Sequence, residues 1–275
     1  MLPATKAIPK EMLPVAGKPL IQYAVEEAAA SGIETVILVV RGNKPLIQAH
    51  FSRDHELESF LRERRLGTSI ELIRNLAELA DIRYVEQESP LGLAHAISCA
   101  RSLVGDEPFA VLLPDVIMLH GVAITSQLMN AREQHGGSVV AVREVEPQDM
   151  GRFGIVRAKR STVPPSGNTI PLIGLVEKPA PDKAPSRLGV FGRYLLEPAI
   201  WSAIAQTNAD ASGEVQLTDA LNLLCENEPV FGFCFKGRHY DAGDRMGYLM
   251  ANIEISLQNS ELGQPLLQQL SGILV

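Results

Sequence analysis

The sequence predicts an α/β protein with a mixed, mainly parallel central sheet that helices cover on both faces. Residues 34–40 form an unbroken run rich in β-branched side chains, and residues 109–113 form a second apolar run. Such runs are typical of strands that are buried on both faces of a parallel sheet. Helical patterns alternate with these strands through about the first 150 residues, which is the order that strand–helix–strand units produce.

The first helix is predicted at 19–31, because Pro19 suits a first helical position and Ser31 with Gly32 supplies a stop. The elements predicted after it are a strand at about 34–40, helices at about 43–51, 54–65 and 69–80, a strand at 82–85, a helix at 92–103, a strand at 109–113, a helix at 122–135 and a strand at 138–144.

Beyond about residue 150 the pattern changes to short strands, which indicates a more antiparallel half. The predicted elements are strands at about 153–157, 172–177 and 188–196, a Pro/Ser/Gly-rich connection at 159–168, helices at 197–206 and 214–227, a strand at 230–236, a Gly-punctuated turn at 237–243 and a final helix at about 244–260. No internal repeat and no linker-like segment divides the chain, so we expect one domain over residues 1–275.

The composition narrows the classes of partner. With 25 basic and 32 acidic residues the net charge is −7, which argues against a nucleic-acid surface but allows a small polyanionic ligand. The 3 cysteines form no C-x-x-C pair and are expected to be free thiols in a reducing compartment. No apolar run approaches the roughly 18 residues of a membrane helix, and the first residues lack the apolar core of a secretory signal. We therefore expect a cytoplasmic protein without a membrane segment.

The first 14 residues are predicted to form a stiff, extended loop. They contain Pro3, Pro9 and Pro14, with Lys6 and Lys10 placed four residues apart between them. Proline fixes the backbone and removes an amide donor, so a regular element is not expected here. A loop that presents two ammonium groups suits a phosphate ligand.

Polar residues follow several predicted strands, at the edge where open α/β sheets bind ligands. Asp115 comes after the strand at 109–113, and Asp241 lies in the turn before the final helix. Two carboxylates with phosphate oxygens and water form the ligand set that Mg²⁺ prefers. The alternative for each aspartate is the cap of a turn or helix.

Two further strand ends carry candidate ligand contacts. Gln87 can both donate to and accept from a base edge, and Gly92 allows a close backbone approach, although an ordinary strand-to-helix loop is the alternative. Glu177 and Lys178 offer an acceptor for sugar hydroxyls beside a cation for phosphate, or they are solvated surface charges. His95 is expected to be a structural hydrogen-bonding residue. The sequence contains no G-x-G-x-x-G, G-x-x-x-x-G-K-[ST], G-x-S-x-G or H-E-x-x-H motif, which lowers support for dehydrogenases, P-loop kinases, serine esterases and zincins.

Segments along nearly the whole chain together resemble one known family. They are Leu2-Pro-Ala-Thr-Lys-Ala-Ile-Pro-Lys-Glu-Met-Leu-Pro14, Lys18-Pro-Leu-Ile-Gln-Tyr23, Gly92-Leu-Ala-His-Ala96, Leu113-Pro-Asp-Val-Ile117, Phe153-Gly-Ile-Val156, Val176-Glu-Lys-Pro179, Gly192-Arg-Tyr194, Gly213-Glu-Val-Gln-Leu-Thr-Asp219 and Tyr240-Asp-Ala-Gly243. In this order they look like the bacterial UTP–glucose-1-phosphate uridylyltransferases, also called UDP-glucose pyrophosphorylases. The long first segment is the most specific of them.

The resemblance implies a three-layer Rossmann-like nucleotidyltransferase fold, in which about residues 1–150 bind nucleotide and about 151–275 bind sugar and end in a helix. It implies the reaction of UTP with glucose 1-phosphate to give UDP-glucose and pyrophosphate. By position, Lys10 resembles the residue that neutralises the triphosphate, and Gln87 and Gly92 resemble the pair that reads uracil. Asp115 and Asp241 resemble the Mg²⁺ carboxylates.

The same resemblance gives roles to the sugar half. Gly154 and Glu177 look like glucose contacts, and Lys178 looks like the contact to the sugar phosphate. The resemblance also implies a homo-oligomer, because the family commonly forms dimers or tetramers. Phosphoryl transfer of this type needs aligned anions and neutralising charges rather than a protein nucleophile.

Two departures from the family pattern leave alternatives open. Ala94 stands where the subfamily commonly has glycine, and relatives that act on dTTP share this alanine, so a thymidylyltransferase is one alternative. The family's first strand and its Gly-x-Gly-Thr-Arg phosphate loop would precede Leu2, where only Met1 stands. We therefore expect either a chain read from an internal methionine or a truncated, catalytically deficient paralogue that regulates or partners a complete enzyme. Without that strand its two neighbours in the sheet are expected to lose ladder partners.

Overall fold

A computed structural model of the chain describes residues 1–42, 44–119, 121–159 and 168–273. Its strands are β1 (Pro14–Val15), β2 (Lys18–Pro19), β3 (Thr35–Val40), β4 (Asp81–Glu86), β5 (Phe109–Leu112), β6 (Val116–Leu119), β7 (Ser138–Glu144), β8 (Gly154–Ala158), β9 (Thr169–Glu177), β10 (Leu188–Leu196), β11 (Val230–Cys234) and β12 (Arg238–Asp241). Most of the predicted connection at 159–168 lies outside the described residues.

The helices agree with most of the predicted positions. They are α1 (Leu20–Ala30), α2 (Pro45–Phe51), α3 (His55–Glu63), α4 (Gly67–Ala77), α5 (Leu93–Cys99), α6 (Arg101–Val104), α7 (Ile124–His135), α8 (Ile200–Gln206), α9 (Leu217–Asn227), α10 (Arg245–Gln258) and α11 (Gly263–Ile273), with short 3-10 helices at Ala4–Lys6, Lys10–Met12, Pro147–Arg152 and Pro181–Lys183. The helix predicted at 92–103 is divided at Ala100, and α11 lies beyond the predicted final helix.

Six strands form the large sheet in the order β5-β10-β7-β11-β9-β8. The α/β class predicted from the sequence is confirmed, but the prediction that this sheet is mainly parallel is wrong. Of its neighbouring pairs, β7 with β11 is parallel and the others are antiparallel. The reason is that an unbroken apolar run records burial on both faces and carries no information about the direction of the neighbouring strand.

Helices cover both faces of the large sheet, so the fold has three layers. Along β7 the side chains alternate between the faces: Val140 and Val142 pack with α5, α8 and α9, whereas Val139 and Ala141 pack with α7. All four side chains are fully buried. This alternation is the geometry of a pleated strand, and it explains why the run at 138–144 contains apolar residues at successive positions.

Strands β3 and β4 form a separate parallel pair, with Thr35 opposite Asp81 and Val40 opposite Glu86. The prediction that residues 34–40 are buried on both faces is wrong, since Thr35 is exposed and the rest of β3 is only half-buried. Alternate side chains of β3 pack against α1 and α2. Within the described part of the chain β3 pairs with β4 alone, which leaves its other edge without a neighbouring strand.

A short antiparallel pair lies beside the large sheet, formed by β6 and β12. The sequence-based prediction of a turn at 237–243 is therefore wrong for its central residues. The four residues Arg-His-Tyr-Asp of β12 do not alternate between apolar and polar side chains, and the partner strand β6 lies more than 100 residues earlier in the chain. No local sequence pattern therefore predicts this strand. Among the described residues no helix has the length and apolar content needed to cross a bilayer.

Candidate active site

Lys10 and Asp115 form the centre of the candidate site. Lys10 begins the short helix Lys10–Met12, and Asp115 lies in the turn between β5 and β6. The Lys10 Nζ atom donates a hydrogen bond of 2.8 Å to Asp115 Oδ2. Burial alone would lower the pKa of Lys10, but the adjacent Asp115 carboxylate and its hydrogen bond outweigh burial, and the pKa of Lys10 is raised. The ammonium group is therefore charged at neutral pH.

Asp241 converges on the same point from β12. The backbone of the turn holds the two segments together, because the Ala242 N–H donates to the Asp115 carbonyl at 2.8 Å. Gly243 lies against both carboxylates: a Cβ atom there would be 3.0 Å from Asp241 Oδ1 and 3.3 Å from Asp115 Oδ2. The structure thus brings together the two aspartates that the sequence analysis singled out as metal ligands.

Arg152 is a charged residue of this region that the sequence analysis missed. It donates to Asp241 Oδ2 at 2.7 Å and also contacts the Asp244 carboxylate. These two acidic neighbours raise the pKa of Arg152 against the lowering effect of burial. In the described part of the chain no group of three or more His, Cys, Asp or Glu side chains could hold a metal. Asp115 and Asp241 as a pair still match the one or two carboxylates that Mg²⁺ takes from a protein beside phosphate.

The buried ion pair of Arg193 and Glu27 contacts both sides of the Asp115 turn. The sequence analysis did not identify this pair. Arg193 of β10 is 1% exposed and donates to Glu27 Oε2 at 3.0 and 2.8 Å. The same guanidinium donates to the carbonyls of Leu113 (3.0 Å) and Val116 (2.9 Å), which flank the turn. A lone arginine within the apolar run of β10 is the signal that could have drawn attention to it.

The far side of Glu27 is held by the start of α7. The Thr125 N–H and hydroxyl donate to Glu27 Oε1 at 3.1 and 2.7 Å. Both carboxylate oxygens of this buried acid are therefore hydrogen-bonded, as a buried charge requires. The network fixes α1, α7 and the Asp115 turn relative to one another.

Gln87 and Gly92 form the second group. Gln87 follows β4, and its Nε2 atom donates to the Gly92 carbonyl at 3.2 Å and lies 3.0 Å from His95 Nδ1. Gly92 has φ +95°, and a Cβ atom there would lie 2.6 Å from the Val215 carbonyl oxygen, so glycine is required. With Nε2 engaged by two neighbours, the carbonyl end of the Gln87 side chain is left to meet a ligand. His95 has the structural role expected of it.

Gly154, Glu177 and Lys178 form the third group, at one end of β8 and β9. Gly154 is paired with Glu177 in the ladder, and a Cβ atom on Gly154 would lie 3.3 Å from Glu177 Oε2. The Thr218 hydroxyl donates to the same oxygen at 2.5 Å. Thr218 lies in the Gly213–Asp219 segment, but the sequence analysis assigned it no separate role.

Lys178 adopts a left-handed backbone conformation, with φ +42°. Its N–H donates to the Phe153 carbonyl at 3.1 Å, and its Nζ atom lies 3.6 Å from Glu177 Oε1. The side chain is 61% exposed. A non-glycine residue in this region is strained, so the ladder contact to Phe153 holds the Lys178 backbone in place.

Some of these candidate residues line a cavity of about 1060 Å³. Lys10, Gln87, Gly92 and Asp115 line it, whereas Asp241 and the group of Gly154, Glu177 and Lys178 do not. Arg152 connects the two parts, because it contacts Asp241 and closes the 3-10 helix that leads into β8. Acidic and basic side chains alternate across the region, which suits a ligand that brings both phosphate and metal.

Comparisons with known proteins agree with one another. The family described as nucleotidyl transferase matches residues 1–257. The UTP–glucose-1-phosphate uridylyltransferase YngB of Bacillus subtilis (strain 168) is 44% identical over 273 residues, which are 99% of this chain and 91% of that protein. A UTP-bound UGPase from Acinetobacter baumannii superposes with a TM-score of 0.87 at 35% identity, covering 98% of this chain and 93% of that one. A UDP-glucose pyrophosphorylase in complex with UDP-glucose gives a TM-score of 0.85 at 34% identity, with 94% of each chain covered.

Proposed function

The chain belongs to the nucleotidyl transferase family and, within it, to the UTP–glucose-1-phosphate uridylyltransferases, and from this we propose that it forms UDP-glucose and pyrophosphate from UTP and glucose 1-phosphate. The single observation of the site that carries the proposal is the convergence of Lys10, Asp115 and Asp241 at one point. A cation and two carboxylates meet there, and Lys10 and Asp115 line the same cavity as Gln87 and Gly92.

In the reaction a phosphate oxygen of glucose 1-phosphate attacks the α-phosphorus of UTP, and the bond from that phosphorus to the departing pyrophosphate breaks. No covalent enzyme intermediate is needed, so the protein contributes alignment and charge. Lys10 carries the charge that offsets the triphosphate as the negative charge redistributes. Its raised pKa keeps this ammonium protonated throughout the neutral range.

We propose Mg²⁺ as the metal, held by Asp115 and Asp241. The donor set fits, because two convergent carboxylates leave the remaining positions of a hard cation to phosphate oxygens and water. When bound, Mg²⁺ supplies neutralisation of the phosphate charges. Lys10 and Arg152 each donate a hydrogen bond to one of these carboxylates, at 2.8 and 2.7 Å, so positive charge also lies on both sides of the proposed metal site.

Gln87 and Gly92 are proposed to read the uracil ring. The contacts from Gln87 Nε2 to the Gly92 carbonyl and His95 orient the amide, so its oxygen can accept from the ring N–H of uracil. Uracil and thymine share this donor, and thymine differs by a methyl group that the pocket must exclude. Base preference therefore depends on the space beside the ring rather than on the Gln87 hydrogen bond.

The sugar phosphate is assigned to the third group. Glu177 accepts from glucose hydroxyls, and Gly154 has no side chain that would crowd the Glu177 carboxylate next to it. Lys178 is proposed to hold the phosphate of glucose 1-phosphate, for which its side chain is largely exposed. The Thr218 hydroxyl fixes the orientation of Glu177.

We also propose that the two halves of the chain bind different parts of the substrates. About residues 1–150 supply the nucleotide groups and about 151–275 the sugar groups, with β10 of the second half inserted between β5 and β7 of the first.

A homo-oligomer, either a dimer or a tetramer, is supported by the exposed apolar side chains Met246, Leu249 and Leu267 on α10 and α11. Light scattering of the purified chain tests it. The free cysteines suit the cytoplasm.

The function is tested by pyrophosphate release from UTP and glucose 1-phosphate in the presence of Mg²⁺. We expect turnover with UTP at least tenfold faster than with dTTP, and loss of turnover in Asp115→Asn and in Asp241→Asn. Titration calorimetry with UTP serves as a second readout that does not depend on turnover. A folded chain that neither releases pyrophosphate nor binds UTP would overturn the proposal.

A further inference from the structure

Strand β9 extends beyond its neighbour β11 before it reaches Glu177. The two strands pair only over Thr169–Pro171, whereas β9 continues to Glu177. On its other edge β9 pairs with β8, and the Lys178 N–H donates to the Phe153 carbonyl in line with that ladder. Backbone groups of successive residues alternate in direction. Leu175 and Glu177 therefore turn their backbone groups away from β8, toward the edge that β11 covers only at the start of β9.

A side chain of α9 takes the place of a strand neighbour at Leu175. The Leu175 N–H donates to Asn222 Oδ1 at 2.6 Å, and Asn222 Nδ2 donates to the Leu175 carbonyl at 2.9 Å. A carboxamide has both an acceptor and a donor group, so Asn222 pairs with both backbone groups of one residue, as a strand would. Gly174 allows this approach, because a Cβ atom there would lie 2.8 Å from Asn222 Oδ1.

Helix α9 contacts β9 at two points whose spacing matches. Thr218 lies one turn before Asn222 on α9, and its hydroxyl donates to the Glu177 carboxylate. Glu177 lies two residues beyond Leu175 on β9. Four residues of an α-helix rise about 6 Å, and two residues of a strand rise about 7 Å. Contacts one turn apart on α9 therefore meet alternate residues of β9.

A bulge in β9 precedes these contacts. In the ladder with β8, Ile173 has no partner, because it lies between the residues that are opposite Arg157 and Ala158. A bulge adds one residue to a strand, and a slip of one residue turns the following side chains to the opposite face. A slip after Ile173 would thus turn the Glu177 carboxylate away from the sugar group, and the Asn222 contact just after the bulge opposes such a slip.

We propose that Asn222 is a positioning residue for glucose 1-phosphate: it fixes the register of β9 beyond the bulge and, with it, the place of the Glu177 carboxylate. The inference rests on the proposed function, which assigns Glu177 to the glucose hydroxyls. Asn222 acts through the Leu175 backbone, which engages both ends of its carboxamide. Thr218 then orients a carboxylate whose backbone is already in register.

Asn222→Leu tests the proposal, because leucine has a similar volume and neither polar group of the carboxamide. We expect the KM for glucose 1-phosphate to rise at least tenfold and the KM for UTP to change less than twofold. The Leu175 amide should exchange its hydrogen at least tenfold faster. Asn222→Ser leaves room for water beside Leu175, so it makes the same test with less effect on folding. Asn227→Leu, at an exposed asparagine of the same helix, is the matched control and should change none of these values.

A double-mutant cycle shows whether Asn222 acts through Glu177. In a Glu177→Ala chain, the addition of Asn222→Leu should lower kcat/KM for glucose 1-phosphate less than threefold, because the carboxylate that Asn222 positions is already absent. A tenfold loss in both backgrounds would overturn the proposal. So would an unchanged KM for glucose 1-phosphate in Asn222→Leu, or equal rises for both substrates. Each of these results in an active enzyme rejects the role of Asn222 alone, whereas a wild type without turnover rejects the proposed function itself.

Discussion

Lys178 is the residue whose proposed role can be separated most cleanly from folding, because its side chain is 61% exposed. Lys178→Ala is expected to raise the KM for glucose 1-phosphate about 10- to 100-fold, since a hydrogen bond to a charged group is worth about 1.5–3 kcal/mol and 1.4 kcal/mol is tenfold. The KM for UTP should change less than twofold. Initial rates with each substrate varied in turn measure both constants.

Lys183→Ala is the control for this substitution, because Lys183 is an exposed lysine of the next turn, in the helix Pro181–Lys183. It should leave both constants unchanged. Equal losses for the two substrates in Lys178→Ala would contradict the assignment to the sugar phosphate.

Arg193 is the residue on which the Asp115 turn rests. Arg193→Met leaves Glu27 charged and buried, and removing one partner of such a pair costs about 3–5 kcal/mol. The double variant Arg193→Met with Glu27→Leu should recover part of this stability, since no charge is left unpaired. Urea unfolding measures the free energies.

Turnover distinguishes a positioning role from stability alone. In the double variant the Leu113 and Val116 carbonyls still lack their donor, so we expect turnover to remain at least tenfold low while the UTP KM changes little. Recovery of turnover together with stability would show that the pair serves folding only.

The start of α5 is the element that closes the pocket for the base. Gly92→Ala meets both a positive φ and the Val215 carbonyl at 2.6 Å, so we expect a loss of about 1–3 kcal/mol of stability and a rise in the UTP KM. Gly105→Ala is the matched control: its φ is +70°, but a Cβ atom there has no neighbour within 4 Å. The Gly105→Ala variant should lose stability through backbone strain alone, and its KM for UTP should be unchanged.

Helices α3 and α4 are joined by Glu58, which accepts from Arg53 and Arg74 at 2.8 and 2.6 Å. Hydrogen bonds from Arg74 and Arg53 lower the pKa of Glu58 from 4.5 to about 2. Because the pKa in the folded state lies below the unfolded value, this contribution is present above pH 4.5 and is lost as the pH falls toward 2. The difference in melting temperature between the wild type and Glu58→Gln should therefore be largest near neutral pH and shrink below pH 4.5. A difference that does not vary with pH would contradict this account.

At the level of elements, strands and helices with strong local patterns could be predicted, and those defined by distant partners could not. The strand at 138–144 and the helix at 19–31 are close to β7 and α1, because burial and stop signals are written in their own residues. Strand β12 could not be found, since only its pairing with β6 makes it a strand. The relative direction of the strands in the large sheet could not be predicted either, because it depends on which strands become neighbours.

The candidate site divides in the same way. Asp115 was predicted because it follows a strand at the edge where open sheets bind ligands, and Asp241 because it lies in the turn before the final helix. The structure brings the two together at Gly243. The pair of Arg193 and Glu27 was not predicted, because the two residues are 166 positions apart and meet only once the sheet and α1 are packed. Arg152 was missed for the same reason. Chemistry at strand ends is therefore visible in the sequence, whereas the charges that hold it in place are not.

At the scale of the whole molecule, ligand binding should appear as resistance to unfolding. A ligand at 100 times its Kd stabilises the folded state by about 2.7 kcal/mol, and a chain of this size gains about 2–4 °C in Tm for each kcal/mol. Saturating UTP with Mg²⁺ is thus expected to raise the Tm by about 5–11 °C in a thermal scan. EDTA should remove part of this shift, because the carboxylates then face the triphosphate without a metal between them.

The double variant Asp115→Asn with Asp241→Asn separates the metal from the nucleotide. Its amides hold a divalent cation poorly, so the Tm shift with UTP should no longer depend on Mg²⁺, while a shift from the Gln87 contacts to the base remains. The variant also removes the carboxylate charge that pairs with Lys10, which leaves the ammonium charge to the triphosphate and strengthens the metal-independent part. A Tm shift in the variant that still depends on Mg²⁺ would move the metal site away from these two aspartates.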